Sequence, residues 1–329
     1  MTKYTLAGIG NAVVDVIAHA DDSFLDLMGI EKGIMQLIER ERGEVLYGAM
    51  NDRLQTPGGA VANTIAGVGA LGLPTAFIGR EHDDALGQFY AKSMQDSGTD
   101  FVNAPVPGGE LPTSRSMIFV SPDGERSMNT YLGISTELGP DDVPDDVASK
   151  SEIMFLEGYL FDKDKGKEAF RQASRLTRAA GGKAGIAISD PFCVDRHRAD
   201  FLDMIGNELE YVIGNEHENM SLFETADLEA AMAKTMGMID LMVCTRSGDG
   251  VTIMGRGERH DIPVETITPV DATGAGDQFA AGFIYGIATG RDLATCGRMG
   301  NLCAAEVISH IGPRPQTDMR QQFAAAGLE

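Results

Sequence analysis

The run Asp271-Ala272-Thr273-Gly274-Ala275-Gly276-Asp277 places two carboxylates and two glycines within seven residues. Directly after it, Phe279, Phe283, Ile284 and Ile287 recur at helical spacing, so the glycines mark a turn feeding a helix N-terminus. The first amides of a helix lack intrahelical partners and sit at the positive end of its dipole, which suits phosphate oxygens. Glycine removes the side chains that would hold an anion away. Asp277 then stands in the first turn beside that anion hole. An isolated aspartate there would be read as a helix stabiliser. Two glycines and Asp271 in the same run favour chemistry.

A second run, Gln55-Thr56-Pro57-Gly58-Gly59-Ala60-Val61-Ala62-Asn63-Thr64, opens a helix of small residues that continues to Leu73. Paired glycines let backbone approach a ligand closely, and Asn63 offers both a donor and an acceptor to a hydroxyl. A plain loop before a tightly packed helix explains the run equally well. Within that helix Gly67-Val68-Gly69-Ala70-Leu71-Gly72 spells GxGxxG. A dinucleotide fingerprint must follow a strand and open a helix, so these glycines are expected to serve packing and a helix stop. No GxxxxGK[ST] occurs.

A third group follows two apolar runs in the second half. Asn215-Glu216-His217-Glu218 comes after Tyr211–Ile213, and an Asn with a Glu can order the water shell of Mg²⁺, which needs few protein ligands. Thr245-Arg246-Ser247-Gly248-Asp249-Gly250 comes after Leu241–Cys244, where Thr245 and the backbone can face a nucleotide. Each is also an ordinary loop. Ligands of open α/β sheets gather at the carboxyl ends of strands, where both segments fall.

The elements that must position these groups alternate. Strands are predicted at 5–9, 75–78, 153–156, 185–188, 211–213 and 241–244, and helices at 84–95, 165–179, 228–236, 274–288 and 294–309. That rhythm implies a parallel sheet covered on both faces. Two regions break it. Residues 12–38 carry β-like runs at 13–18 and 34–38, and 101–131 carry a hairpin pattern around Ser121-Pro122-Asp123-Gly124. Together they predict a small sheet, a lid built from two insertions.

With 27 Lys+Arg against 49 Asp+Glu, the formal charge of −22 opposes general binding of nucleic-acid polymers or anionic membranes. It leaves room for a small anion held by local donors. At 43 % hydrophobic residues the chain can bury a large core, and no apolar stretch is long enough to span a membrane. Cys193, Cys244, Cys296 and Cys303 form no CxxC, which fits reduced thiols in a cytoplasmic protein. The six histidines form no HExxH, and the seventeen methionines read as core filling.

DATGAGDQFAAGF resembles the C-terminal signature of the ribokinase-like (PfkB) carbohydrate and nucleoside kinases. Gly58-Gly59 with Asn63 resembles the family's glycine-pair motif, Gly10-Asn11 with Asp15 the opening of its substrate site, and Asn215 to Glu218 its NxxE motif. The matches follow family order from residue 10 to about residue 315. The resemblance implies a three-layer α/β/α core with a mostly parallel sheet from residues 1–11, 46–100 and 132–329, and a β-rich lid from 12–45 and 101–131. It implies transfer of the γ-phosphoryl group of ATP, with Mg²⁺ and a monovalent cation such as K⁺, to a primary hydroxyl of a nucleoside or sugar. Asp277 would be the base, Gly274, Ala275 and Gly276 the anion hole, and Arg126 a lid arginine reaching the moving phosphate.

By the same resemblance Asn11, Asp15, Gly58, Gly59 and Asn63 would hold the acceptor. Asn215, Thr245, Ser247, Gly248, Gly250 and Asn301 would face ATP, and Asn215 with Glu218 would hold the metal through water. A homodimer through the lid edge is a further expectation. The chain departs from many members at Glu81-His82, Ser247 and Asp190-Pro191-Phe192-Cys193-Val194. The runs GNAVVDVIA, SDPFCVDRHR and SHIGPRP resemble bacterial adenosine-kinase-like members, which favours a nucleoside. A free sugar, or a non-catalytic binding regulator on the same fold, are the alternatives.

Overall fold

Residues 153–156 show how the layers arise. Ile153 and Phe155 join one buried apolar cluster while Met154 and Leu156 join another, so this strand buries both of its faces. Period-2 alternation between two apolar environments requires a layer on each side of the sheet. The computed structural model describes residues 3–265 and 267–329.

The strands of the first half, in chain order, are β1 (Tyr4–Ile9), β2 (Val13–His19), β3 (Met35–Leu37), β4 (Leu54–Pro57), β5 (Thr75–Ile78), β6 (Thr99–Phe101), β7 (Ser114–Val120) and β8 (Arg126–Tyr131). Those of the second half are β9 (Ser151–Glu157), β10 (Lys183–Ala187), β11 (Tyr211–Asn215), β12 (Leu241–Thr245), β13 (Val251–Gly255) and β14 (Glu258–Ile262). The main sheet has the order β14-β13-β12-β11-β10-β9-β1-β5-β6. It is parallel from β12 to β6 and ends in an antiparallel β12-β13-β14 edge. The second sheet has the order β3-β8-β7-β2-β4.

The helices are α1 (Asp22–Met28), α2 (Arg40–Ala49), α3 (Ala60–Ala70), α4 (Ala85–Asp96), α5 (Asp145–Ala148), α6 (Asp164–Ala179), α7 (Pro191–Asn207), α8 (Glu216–Leu222), α9 (Leu228–Met236), α10 (Ala275–Ala288), α11 (Leu293–Val307) and α12 (Met319–Ala325). Buried residues of α3, α4, α10 and α11 pack on one face of the main sheet, and those of α5 to α9 on the other. The first cluster also includes Val14, Val16, Met117 and Phe119, which makes the small sheet continuous with that face. Among the described residues no helix is long and apolar enough to cross a membrane.

Close helix contacts rest on glycines. A Cβ at Gly8 of β1 would lie 2.4 Å from Ile65 of α3, and one at Gly67 would lie 2.5 Å from Gln278 of α10. The GxGxxG run is therefore a packing surface that ends α3, as its placement inside a helix implied. Several elements carry no apolar period and were not legible in the sequence. β14 (ERHDI) is a largely exposed edge strand, and α7 has a non-helical His197 (φ −128°) that breaks its periodicity. β4 pairs with β2, so the small sheet takes a strand beyond residue 45, where the first insertion was expected to end. β4 is short, polar and closed by Pro57, which suits an edge and hides it from pattern reading.

Candidate functional site

A cavity of about 680 Å³ opens between the carboxyl ends of the main-sheet strands and the small sheet. Asn11, Asp15, Gly59, Asn63, Asn215, Glu218, Thr245, Gly276 and Asp277 line it, so one space collects residues from five segments of chain. Thr273 shares the same wall.

Gly274 caps α10 in the left-handed conformation (φ 79°), and a Cβ there would meet Pro313 at 2.7 Å. Glycine is required on both counts. Gly276 faces open space, and the amides of Gly276 and Asp277 have no partner among the described residues. Unpaired donors at a helix start are groups that can hold phosphate oxygens. Ala275 donates its amide to Ala272 O at 3.3 Å and is turned into the loop.

Asp277 reaches the cavity from the first turn of α10. Asn63 Nδ2 donates to Asp277 Oδ2 at 3.0 Å, and Thr64 Oγ1 donates to the Asp277 carbonyl at 3.0 Å. Loss of hydration pushes the Asp277 carboxyl up to about 7; the Asn63 hydrogen bond opposes this, while the Glu157 and Asp15 carboxylates add to it. A carboxylate poised near neutrality and facing a cavity can accept a proton from a bound hydroxyl.

The end of the cavity beside β1 and β2 is built around the glycine pair. Gly59 begins α3 at φ 91°, and a Cβ there would lie 2.2 Å from Asn11 O. A Cβ at Gly58 would lie 2.8 Å from the Asp15 carboxylate, and Tyr90 donates its hydroxyl to Gly58 O at 3.1 Å. Asp15 is buried, which pushes its carboxyl up to about 7, against the pull of Arg126 and Arg314. Glu157, at the carboxyl end of β9, accepts from Asn11 N (3.1 Å), Asn11 Nδ2 (2.8 Å) and Val61 N (3.0 Å). It thereby ties β1 to the start of α3. Glu157 is absent from the sequence reading, although a charged residue closing a buried strand was a usable signal.

Asn215 and Glu218 stand on the same cavity wall as a reciprocal capping box on α8. Asn215 N and Nδ2 donate to Glu218 Oε2 and Oε1 at 2.8 and 2.6 Å, and Glu218 N donates to Asn215 Oδ1 at 2.9 Å. Burial pushes Glu218 up to about 7. An amide and a carboxylate beside open volume are oxygen donors of the kind a hydrated Mg²⁺ uses. No group of three His, Cys, Asp or Glu suited to direct metal ligation occurs among the described residues.

Eight sequence-predicted residues lie outside the cavity wall: Gly58, Gly274 and Ala275, described above, and Arg126, Ser247, Gly248, Gly250 and Asn301. Arg126 of β8 donates to Asp271 Oδ1 at 2.8 Å and to Thr273 Oγ1. Ser247, Gly248 and Gly250 form the turn after β12, where Ser247 has φ 47° and a Cβ at Gly250 would meet Ile262 O at 2.1 Å. Asn301 of α11 donates to Pro263 O at 3.2 Å, so the turn and Asn301 brace the same segment after β14. Arg314, unassigned from sequence, donates to Asn63 Oδ1 at 3.2 Å.

A three-layer α/β protein that places a carboxylate beside a bare helix start, under a second sheet, falls in the class of small-molecule kinases. The chain belongs to the pfkB family of carbohydrate kinases, which it matches over residues 27–319. It is 42 % identical to a solved adenosine kinase of Sinorhizobium meliloti, with a TM-score of 0.92 over 98 % of this chain and 99 % of that one. It is 41 % identical to a probable sugar kinase of Rhizobium etli, with a TM-score of 0.93 over all of both chains. An uncharacterized sugar kinase of Archaeoglobus fulgidus is 27 % identical over 75 % of this chain and 96 % of its own length. The protein is therefore a carbohydrate or nucleoside kinase that transfers a phosphoryl group to a hydroxyl.

Proposed function

We propose that the protein transfers the γ-phosphoryl group of ATP to a primary hydroxyl of an adenosine-like nucleoside. The observation that carries the reading is Asp277, hydrogen-bonded by Asn63, at the wall of a cavity into which the free amides of α10 also open. The acceptor hydroxyl gives its proton to Asp277 as it attacks. The amides of Gly276 and Asp277 stabilise charge on the moving phosphoryl group. Asn11, Asp15, Gly59 and Asn63 bind ribose-type hydroxyls and fix the angle of attack. Asn215 and Glu218 would hold a hydrated Mg²⁺, which would supply charge neutralisation on the phosphates.

The nucleoside preference is supported by the cavity's second half. Met35, Leu37, Met128 and Leu132 line it from the small sheet and its exit, offering an apolar surface to the face of a base beside the polar floor. Met35 and Leu37 are 42 % and 51 % exposed, which leaves them open to a ligand. Similarity to the adenosine kinase of S. meliloti points the same way. Residues 12–45 and 101–131, with β4, act in this reading as a lid that excludes water. β3 and β4 are the outer strands of the small sheet, which supports a homodimer through the lid edge, and the free cysteines support a cytoplasmic location. A free sugar remains the second reading because of the R. etli sugar kinase.

The test is an ATP/Mg²⁺ assay, with K⁺ varied, across adenosine, other nucleosides, ribose, fructose and their phosphates. Product masses and kcat/KM are compared. Highest kcat/KM for a free sugar overturns the nucleoside preference. ATP turnover independent of any acceptor overturns the kinase reading.

A further inference from the structure

Gly312 and Pro313, between α11 and α12 and just ahead of Arg314, grip the start of α10. Gly312 N donates to Asp271 Oδ2 at 3.0 Å, Gln278 Nε2 donates to Pro313 O at 3.0 Å, and Pro313 packs where a Cβ on Gly274 would sit. Arg314 is thereby held in register with Asp277. Its guanidinium donates from Nε to Asn63 Oδ1 (3.2 Å), from Nη1 to Ser93 Oγ (3.3 Å) and from Nη2 to Met94 Sδ (3.3 Å). All three nitrogens are engaged, and no carboxylate touches them among the described residues.

An asparagine amide has one accepting arm and one donating arm. A guanidinium only donates, so Arg314 holds Oδ1 on its own side and turns Nδ2 toward Asp277. From that orientation Asn63 can donate to a carboxylate but cannot accept from a carboxylic acid. A flipped amide would do the reverse and favour protonated Asp277. We propose that Arg314 is a positioning residue that acts through the Asn63 amide, and through its own charge, to keep Asp277 in the proton-accepting form.

The charged surroundings make such a device necessary. Asp277 faces the carboxylates of Glu157 and Asp15, both of which oppose its ionisation, and the Asn63 hydrogen bond and the smaller pull of Arg314 act the other way. Asp15 also faces Arg126 and Asp271, which form their own pair. Tyr90, which also feels the Arg314 charge, is held protonated by burial and faces Glu81, Glu157 and Asp15 as well. Burial lowers Arg314 only to about 10, so it stays a cation at neutral pH.

The inference rests on the kinase reading above. Its test is kcat against pH at saturating substrates for the wild-type protein, R314Q and R314K. R314Q retains an N–H donor and loses the charge; its acid limb is expected to move up by about one pH unit or more. R314K restores the charge without the fork, and its limb is expected between the other two. Lowered activity in R314Q with a limb coincident with wild type overturns the inference and leaves Arg314 a packing residue. Should R314Q not fold, R314K decides: a displaced limb supports the inference and a coincident one overturns it. A wild-type protein without acceptor-dependent ATP turnover would instead sink the kinase reading itself.

Discussion

Arg126 Nη1 lies 2.8 Å from Asp271 Oδ1, an ion pair that fastens the small sheet to the loop leading into α10. The two side chains are 15 % and 4 % exposed, so the pair is largely desolvated. Asp271 also accepts from the amides of Thr273 and Gly312 at 3.0 Å each. The arginine expected to reach a transferring phosphate is thus already paired, with a partner that keeps two amides if the arginine leaves. We expect R126M to leave a buried carboxylate without its cation and to cost about 3 kcal/mol in urea unfolding. Stability equal to wild type would mean that the pair holds nothing.

Asp277 is the sharpest single test of the chemistry. D277N keeps the shape of the side chain but removes the proton acceptor. We expect kcat to fall by about a hundredfold or more, with nucleotide affinity little changed. Calorimetric titration with ATP alongside the rate assay separates the two, and near-normal turnover would remove Asp277 from the role of base.

The pH dependence of the rate follows from the raised carboxyls. Asp277 must be ionised to accept a proton, and burial pushes it and Asp15 up to about 7. Activity of the wild-type protein should therefore rise as pH increases through about 7 and then level off. A rate already flat from pH 5 upward would contradict ionisation of Asp277 in that range.

Glu81 offers a test on stability rather than rate. It is buried, neither carboxylate oxygen has a partner among the described residues, and burial followed by the nearby Asp84 pushes it up to about 9. A folded pKa above the unfolded value means that its stability contribution is full below about 4.5 and is lost as pH rises toward 9. E81Q removes that loss. Its advantage over wild type should grow by up to about 1.4 kcal/mol per pH unit across this window. Parallel melting-temperature curves for the two proteins would refute it.

Gly59 is constrained twice, by φ 91° and by the 2.2 Å approach of a Cβ to Asn11 O. We expect G59A to lose about 2 kcal/mol or more and to raise the KM for the acceptor, because Asn11 and Asn63 flank the displaced backbone. An unchanged acceptor KM would separate the glycine pair from acceptor binding.

Much of this arrangement was legible in the chain. The strands at 75–78 and 241–244 follow from buried apolar runs, and the α10 start from two glycines ahead of a helical period, because both signals are local. β4, β14 and α7 were not legible: two are polar edge strands and one is kinked, and none leaves a clean apolar repeat. Asn215 and Glu218 were readable as a pair three residues apart, yet their reciprocal hydrogen bonds depend on where β11 ends and α8 begins.

By itself the sequence determined the layered α/β class and singled out the residues proposed to carry chemistry, since periodicity and turn-forming glycines act over a few residues. Only the tertiary structure decided how those residues work. Asn63 meets Asp277 across 214 positions, and Arg314 meets Asn63 across 251. Glu157 bridges Asn11 and Val61 from a third segment. Such contacts leave no local pattern. The ionisation of Asp277 is set by burial and by neighbours brought together through chain packing.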